Sequence, residues 1–394
     1  MLIGVVGKPN CGKSTFFKAA TLAEVEIANR PFVTIKPNRG YGFIKIECAD
    51  KEFKLQCNPK TGYCLNQYRF VPIELLDVAG LVPGAHKGYG LGNQFLDDLR
   101  QADAFVHVID ISGSTNEMGE TLEHGAYNPA NDIRFLETEL TMWLFQIIKK
   151  GWERFARTVK QENLNLKEEL AKQLSGLKIT EEYIANALKS FDEDPTKWSD
   201  ADILELAGKI RKSKPMVIAA NKADSPHSMD KIKILQEEFP EYKIIPCSAE
   251  SELALREAAK SKLISYVPGE NDFQIINKNK LNSIQQSALD FINGFLKMYN
   301  STGVQETLNT IVFNLLNQII VFPVENENKL ADSQGHILPD THILLNGSTA
   351  IELAEKVHTD IAKKFSSAID ARTKKRLGRD YKLKNRDIIR IITS

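Results

Sequence analysis

The stretch Leu2-Ile3-Gly4-Val5-Val6-Gly7-Lys8-Pro9-Asn10-Cys11-Gly12-Lys13-Ser14-Thr15 decides how the rest of this 394-residue chain is read. Its short apolar run, Leu2 to Val6, reads as a buried strand, and Gly7-x-x-x-x-Gly12-Lys13-Ser14 follows with the spacing of a phosphate-binding loop. Glycines at these positions let the backbone curl so that its N–H groups point inward at phosphate oxygens. A helix opening near Ser14 adds its positive end. In such a loop Lys13 reaches the outer phosphates of a nucleotide and the Ser14 hydroxyl ligates Mg²⁺, with Thr15 beside it.

Working outward, Asp77-Val-Ala-Gly80 closes a second apolar run, Phe70-Val-Pro-Ile-Glu-Leu-Leu. An aspartate at the end of a parallel strand can hold a Mg²⁺-bound water while the Gly80 N–H meets a terminal phosphate. Between the two strands lies Pro31-Phe-Val-Thr34-Ile, read as an exposed connection. A threonine hydroxyl there would complete the Mg²⁺ shell only when that phosphate is present. After Gly80 the segment 81–92 carries Gly84, Gly88, Gly90 and Gly92, a density that cannot pack as a regular element.

The motifs Gly-Lys-Pro-Asn-Cys-Gly-Lys-Ser, Pro-Phe-Val-Thr-Ile and Asp-Val-Ala-Gly-Leu-Val-Pro-Gly-Ala-His-Lys-Gly-Tyr-Gly-Leu-Gly-Asn-Gln-Phe resemble those of the Obg superfamily of GTPases, in particular its YchF branch in an archaeal style. The resemblance implies an α/β P-loop fold, a Ras-like G domain interrupted by a helical insertion and followed by a ubiquitin-like (β-grasp) TGS domain. On that pattern the G domain occupies 1–130 and 214–261, a projecting helical arm 131–213, a helical extension packed on the G domain 262–316, and the TGS domain 317–394. The residues agree with that layout. Ile133, Leu136, Leu140, Trp143 and Ile147 keep a three-to-four spacing, as do Leu166, Leu170, Leu174 and Ile203, Leu206, Ile210. In the last segment Gln318 to Val324 reads as a strand, Thr349-x-x-Glu352 opens a helix, and Ile388 to Ile392 closes with a strand, a ββαβ order.

The next buried strand after the helices ends in Asn221-Lys222-Ala223-Asp224, a base-reading motif. An Asp224 carboxylate accepts from guanine N1–H and N2–H₂, a pair that adenine does not offer, while Lys222 covers the ring and Asn221 braces the loop. Ser248-Ala249-Glu250 resembles the last base-contact loop, with the Ala249 N–H toward guanine O6 and Glu250 where a lysine is common. Many YchF relatives carry a degraded form of the first motif and prefer ATP; the intact one here favours GTP and GDP.

The hydrolytic machinery is less plain. Leu81 stands where Ras-like enzymes place a water-orienting glutamine, and a leucine has no donor or acceptor. By resemblance Asn10 is a ligand for K⁺, which would supply charge at the β–γ bridge. The loop histidines His124 and, less favoured, His86 are the other candidates, with Lys13, Thr34 and Gly80 as the charge-stabilising groups. An ATP-hydrolysing stress-response protein and an adaptor for which turnover is incidental stay open as alternatives.

Lys+Arg and Asp+Glu both number 51, a balance that does not suit a chain dominated by nucleic-acid electrostatics, and DNA is not expected as a partner. The basic stretch 372–382, with Arg372, Lys374, Lys375, Arg376, Arg379 and Lys382 around Tyr381, suits phosphate-backbone contact with RNA. With the helical arm and the resemblance it points to the ribosome or structured RNA. The five cysteines, Cys11, Cys48, Cys57, Cys64 and Cys247, show no paired C-x-x-C spacing, so neither a zinc site nor a disulfide framework is expected. With no apolar run of membrane length, and Met1 leading straight into the first strand, a cytoplasmic protein without a leader is expected.

Overall fold

The computed structural model describes residues 1–22, 38–81, 83–87, 98 and 100–394. By packing, the described residues form two compact units, one within Met1–Lys18, Pro37–Gly40 and Glu74–Glu250, the other within Ala19–Lys36, Tyr41–Ile73 and Ser251–Ser394.

The first unit is built on parallel strands in the order β4-β1-β5-β6-β7: β1 (Leu2–Val6), the C-terminal half of β4 (Tyr68–Asp77), β5 (Ala104–Asp110), β6 (Met216–Asn221) and β7 (Lys243–Pro246). Helices cover such a sheet, so its inner strands are apolar throughout rather than alternating: all of β1, β5 and β6 is buried. Register then sets what meets at the carboxyl end. Val5 stands opposite Asp77, and Asp110 opposite Asn221. The phosphate loop runs from β1 into helix α1 (Lys13–Thr21).

Between β5 and β6 the chain runs through α3 (Ala130–Lys149), α4 (Trp152–Gln161), α5 (Leu166–Leu174), α6 (Glu181–Leu188) and α7 (Asp200–Lys212), α2 being a short turn in the other unit. Local chemistry sets the breaks. Asn165 caps α5 by accepting from Lys167 N at 3.1 Å, and Ser199 with Asp202 forms a capping box on α7. Asp194-Pro195 ends the preceding run in a tight turn, with Asp194 accepting from Thr196 N at 3.1 Å. Leu136, Leu140, Trp143, Leu206 and Ile210 form one apolar cluster with Leu2, Leu76, Phe105 and Met216 of the strands. The base of the insertion is thus part of the sheet's own core.

In the second unit, β2 (Arg39–Glu47), α2 (Asp50–Phe53), β3 (Tyr63–Leu65) and the N-terminal half of β4 frame a small aromatic cluster of Phe43, Tyr63 and Phe70, the last two stacked at 4.6 Å. Then come α9 (Ala249–Lys260), a hairpin of β8 (Ile264–Ser265) with β9 (Gln274–Ile275), and helices α10 (Ser283–Tyr299) and α11 (Val304–Asn309), after α8 (Ser228–Glu238) of the first unit. A five-stranded sheet closes the chain in the order β11-β10-β14-β12-β13. Its strands are β10 (Gln318–Val324), β11 (His342–Leu345), β12 (Phe365–Asp370), β13 (Arg376–Leu377) and β14 (Ile388–Thr393). Helix α12 (Ala350–Val357) packs Ala350 and Leu353 against Val321, Leu344 and Ile389, and α13 (Thr359–Lys363) follows it. The parallel pairing of β10 with β14 beside an antiparallel β11 is the β-grasp arrangement. Its strand β12 is absent from the ββαβ order read from sequence, because Ser366-Ser367 interrupts the apolar pattern; the observed order is ββαββ with the short β13.

Candidate functional site

The site lies where the parallel strands end, the position at which open α/β sheets hold ligands. The loop after β1 is held tightly. A Cβ on Gly7 would stand 2.5 Å from Val108 O, and one on Gly12, at φ +91°, would stand 2.1 Å from Asn221 Nδ2. Only glycine fits the second position, both for its backbone and for its neighbour. Lys13 pairs with the Asp77 carboxylate, and Ser14 Oγ lies 3.4 Å from Asp77 Oδ2. A lysine, a hydroxyl and a carboxylate therefore converge beside the N-terminus of α1.

The other half of the site hangs from Asn221. Its Nδ2 donates to Cys11 O at 2.9 Å and its Oδ1 accepts from Ala249 N at 3.0 Å, so one buried amide ties the phosphate loop to the loops after β6 and β7. Ala223 N donates to Cys247 O at 3.0 Å, joining the same two loops a second time. Ser248 and Ala249 are buried, Asp224 is half-buried and Glu250 is exposed. Lys222 takes a left-handed backbone, φ +61°, and sends its Nζ to Asp110 Oδ2 at 2.9 Å.

Asp110 was not singled out from sequence as a site residue, yet it organises this corner. Its carboxylate accepts from Ser112 N at 3.1 Å, Ser114 Oγ at 3.0 Å and Thr115 Oγ1 at 2.7 Å in addition to Lys222. Burial alone would raise its pKa, but the bonds from Ser112, Lys222 and Thr115 outweigh it and hold the carboxyl below its usual range. The readable signal was the hydroxyl-rich Asp110-x-Ser112-x-Ser114-Thr115 turn at a strand end. Lys8 is a second such residue. It is buried, paired with Asp132 Oδ1 at 2.9 Å, bonded to Thr115 O at 2.7 Å, and set 4.0 Å over the Tyr127 ring. Burial pushes Asp132 up to about 6, the nearby Lys8 charge acting in the opposite sense.

Other candidates fare differently. Thr34 and Gly88, Gly90 and Gly92 lie outside the described residues. Asn10, at φ +59°, donates through Nδ2 to Gly119 O at 2.8 Å, pinning the loop after β5 to the phosphate loop. Cys11 is fully buried, and desolvation pushes its thiol up to about 12, which suits a filler and not a reactive thiol. Leu81 points into the apolar cluster and donates its N–H to Gly7 O at 3.1 Å. His124 is exposed on the pinned loop, whereas His86 is engaged with Glu139 at 2.7 Å. In the second unit Arg372 is held by Glu52 at 2.7 Å, and Tyr381 packs against the β-grasp core, both half-buried; Lys375, Arg379 and Lys382 are exposed.

Known proteins bear on this geometry directly. Residues 2–138 match the 50S ribosome-binding GTPase family, 219–326 the Obg-like GTPase YGR210-like, G4 motif-containing domain, and 334–393 the TGS domain. A GTP-binding protein of Methanocaldococcus jannaschii is 50% identical over 394 residues, covering 100% of this chain and 99% of its own. The chain belongs to the YchF-type branch of the Obg family of GTPases. A crystal structure of a GTP-binding protein from Pyrococcus horikoshii OT3 superposes over 100% of both chains at 40% identity, with a TM-score of 0.78. The ribosome-binding ATPase YchF of Escherichia coli O157:H7 is 37% identical over 170 residues, 43% of this chain and 44% of that one. As a GTP-binding YchF-family protein, the chain carries a G domain whose family implies a guanine nucleotide with Mg²⁺. No helix among the described residues is long and apolar enough to cross a membrane.

Proposed function

We propose that the chain binds GTP with Mg²⁺ and hydrolyses it slowly to GDP and phosphate, acting in the cytoplasm as a nucleotide-dependent switch on the ribosome or its RNA. The observation that carries this reading is the Asn221 bridge, which holds the phosphate loop and the base loops in one piece at 2.9 and 3.0 Å. In that frame the N–H groups of residues 10–15 cradle the phosphates, and Lys13 leaves Asp77 to meet the outer ones. Asp224 selects guanine by accepting its two N–H donors, while Lys222, steered by Asp110, lies along the base. The hydroxyl of Ser14 and the carboxylate of Asp77 are hard oxygen donors that suit Mg²⁺, with Thr34 as the further ligand and Asp77 acting through water. When bound, the ion offsets phosphate charge.

Hydrolysis needs a group that Leu81 does not supply. The Gly80 N–H toward the terminal phosphate, K⁺ at Asn10, and His124 on the loop pinned to Asn10 are the groups available. The burial of Leu81, 1% exposed, also favours a second reading, in which the nucleotide sets the conformation and turnover is incidental. The ribosome enters through the name of the E. coli relative and through the exposed Lys375, Arg379 and Lys382. That relative is named an ATPase, and Asp224 argues for guanine here.

Single-turnover hydrolysis of GTP in K⁺ and in Na⁺ buffer, with and without ribosomes, tests the switch. Turnover that rises with K⁺ or ribosomes supports it. Unchanged rates with nucleotide-independent ribosome docking support the adaptor, and faster turnover of ATP than of GTP contradicts the guanine assignment.

A further inference from the structure

Three of the cysteines that looked unrelated in sequence come together with an aspartate in the second unit. Cys48 follows β2, Asp50 opens α2, Cys57 lies in the connection after it, and Cys64 is on β3. One ligand atom from each lies within 4.8 Å of all the others, and Cys48, Asp50 and Cys57 are buried. Spacing alone gave no reason to expect a zinc site, because these four side chains are gathered by the β2–α2–β3 fold and not by a short local motif.

We propose that Cys48, Asp50, Cys57 and Cys64 bind a zinc ion in a closed, structural site. Thiolates sharing one tetrahedral zinc at about 2.3 Å stand about 3.8 Å apart. Here Cys48 Sγ and Cys57 Sγ are 3.7 Å apart, and Cys64 Sγ is 3.8 Å from Asp50 Oδ2. A disulfide needs about 2.05 Å between sulfurs and uses thiols in pairs, whereas this cluster has three, all free. The carboxylate is prepared as well. Asp50 Oδ2 accepts from Cys57 N at 3.1 Å, while its Oδ1 is buried without a hydrogen-bond partner, an arrangement that costs stability unless a cation takes it up. Soft sulfur donors with one carboxylate select zinc over Mg²⁺ or Ca²⁺. Four donors from the chain leave no open position, so the ion's role is to hold structure.

What it holds is specific. Cys48 N donates to Gln67 O at 2.8 Å, in the turn of the β3–β4 hairpin. Between Cys57 and Cys64, Asn58 N and Lys60 N donate to Ile337 O and Pro339 O at 2.8 and 2.9 Å, within the stretch that joins β10 to β11. Zinc at the cluster therefore fixes a knuckle against which the β-grasp loop is docked.

The test uses the full chain, purified with Zn²⁺ in the growth medium and no added reductant beyond what keeps thiols reduced. Elemental analysis is expected to find one zinc per chain after dialysis, and replacement by Co²⁺ is expected to give thiolate-to-cobalt charge-transfer absorption with tetrahedral d–d bands. Cys64→Ser is expected to lose its zinc on dialysis while still binding GTP. A folding defect in that variant leaves the cobalt spectrum of the unmutated chain as the deciding measurement. A zinc-free chain whose Co²⁺ complex lacks the charge-transfer bands overturns the proposal, as does a Cys48–Cys57 disulfide found by mass spectrometry in the freshly purified protein.

Discussion

The buried Glu139 carboxylate closes on His86 twice: its Oε2 lies 2.7 Å from His86 Nδ1 and accepts the His86 backbone N–H at 2.9 Å, while Oε1 takes Gly84 N at 2.8 Å. Glu139 belongs to α3, the first helix of the insertion, and Gly84 and His86 follow the Asp77-x-x-Gly80 motif. One side chain thus couples the segment beside the phosphate loop to the helices, and it holds His86 by both its ring and its backbone.

Glu139→Ala removes the acceptor from three donors at once. The expected cost is about 2–4 kcal/mol in urea unfolding, with faster hydrogen exchange at Gly84 and His86. Unchanged stability together with unchanged exchange at those two amides would show that the clamp holds nothing.

Gly12→Ala is expected to weaken binding of a fluorescent GTP analogue at least about tenfold, because the new methyl needs the space of Asn221 Nδ2 and a backbone at φ +91°. Fluorescence titration against the unmutated chain measures it. Equal affinity would mean that the Asn221 bridge is dispensable.

His107, on the central strand β5, is fully buried, and burial, with the Lys8 charge second, lowers its pKa from 6.5 to about 3. The unfolded chain takes up this proton near pH 6.5 and the folded chain does not. Its contribution is therefore present above pH 6.5 and is lost as pH falls toward 3, at up to about 1.4 kcal/mol per pH unit. Urea midpoints for His107→Leu are expected to fall less steeply than those of the unmutated chain between pH 6.5 and 4. Parallel curves would remove His107 as a source of acid sensitivity.

The fold class was legible because its signals are local. An all-apolar strand, a glycine loop with Lys13-Ser14 and three-to-four spacing in the helices each declare themselves within about fifteen residues. The positions of Asp77 and Asn221 at strand ends, and of Lys13 at the start of α1, were legible for the same reason. What escaped depends on contacts distant in sequence. Asp110 gathers Lys222 from the next strand. Cys48 and Cys64 meet only because α2 and the connection after it fold the chain back between them. Arg372 pairs with Glu52, more than 300 residues earlier in the chain. The strand Phe365–Asp370 is specified by its place beside β14 more than by its own polar serines.

The most direct test of the central claim is equilibrium binding of labelled GTP, ATP and XTP to the unmutated chain and to Asp224→Asn. The account predicts tight GTP binding and weak ATP binding, with Asp224→Asn losing GTP and gaining XTP, whose second carbonyl matches the amide that replaces the carboxylate. ATP binding equal to or tighter than GTP, or GTP affinity that survives Asp224→Asn, would contradict it.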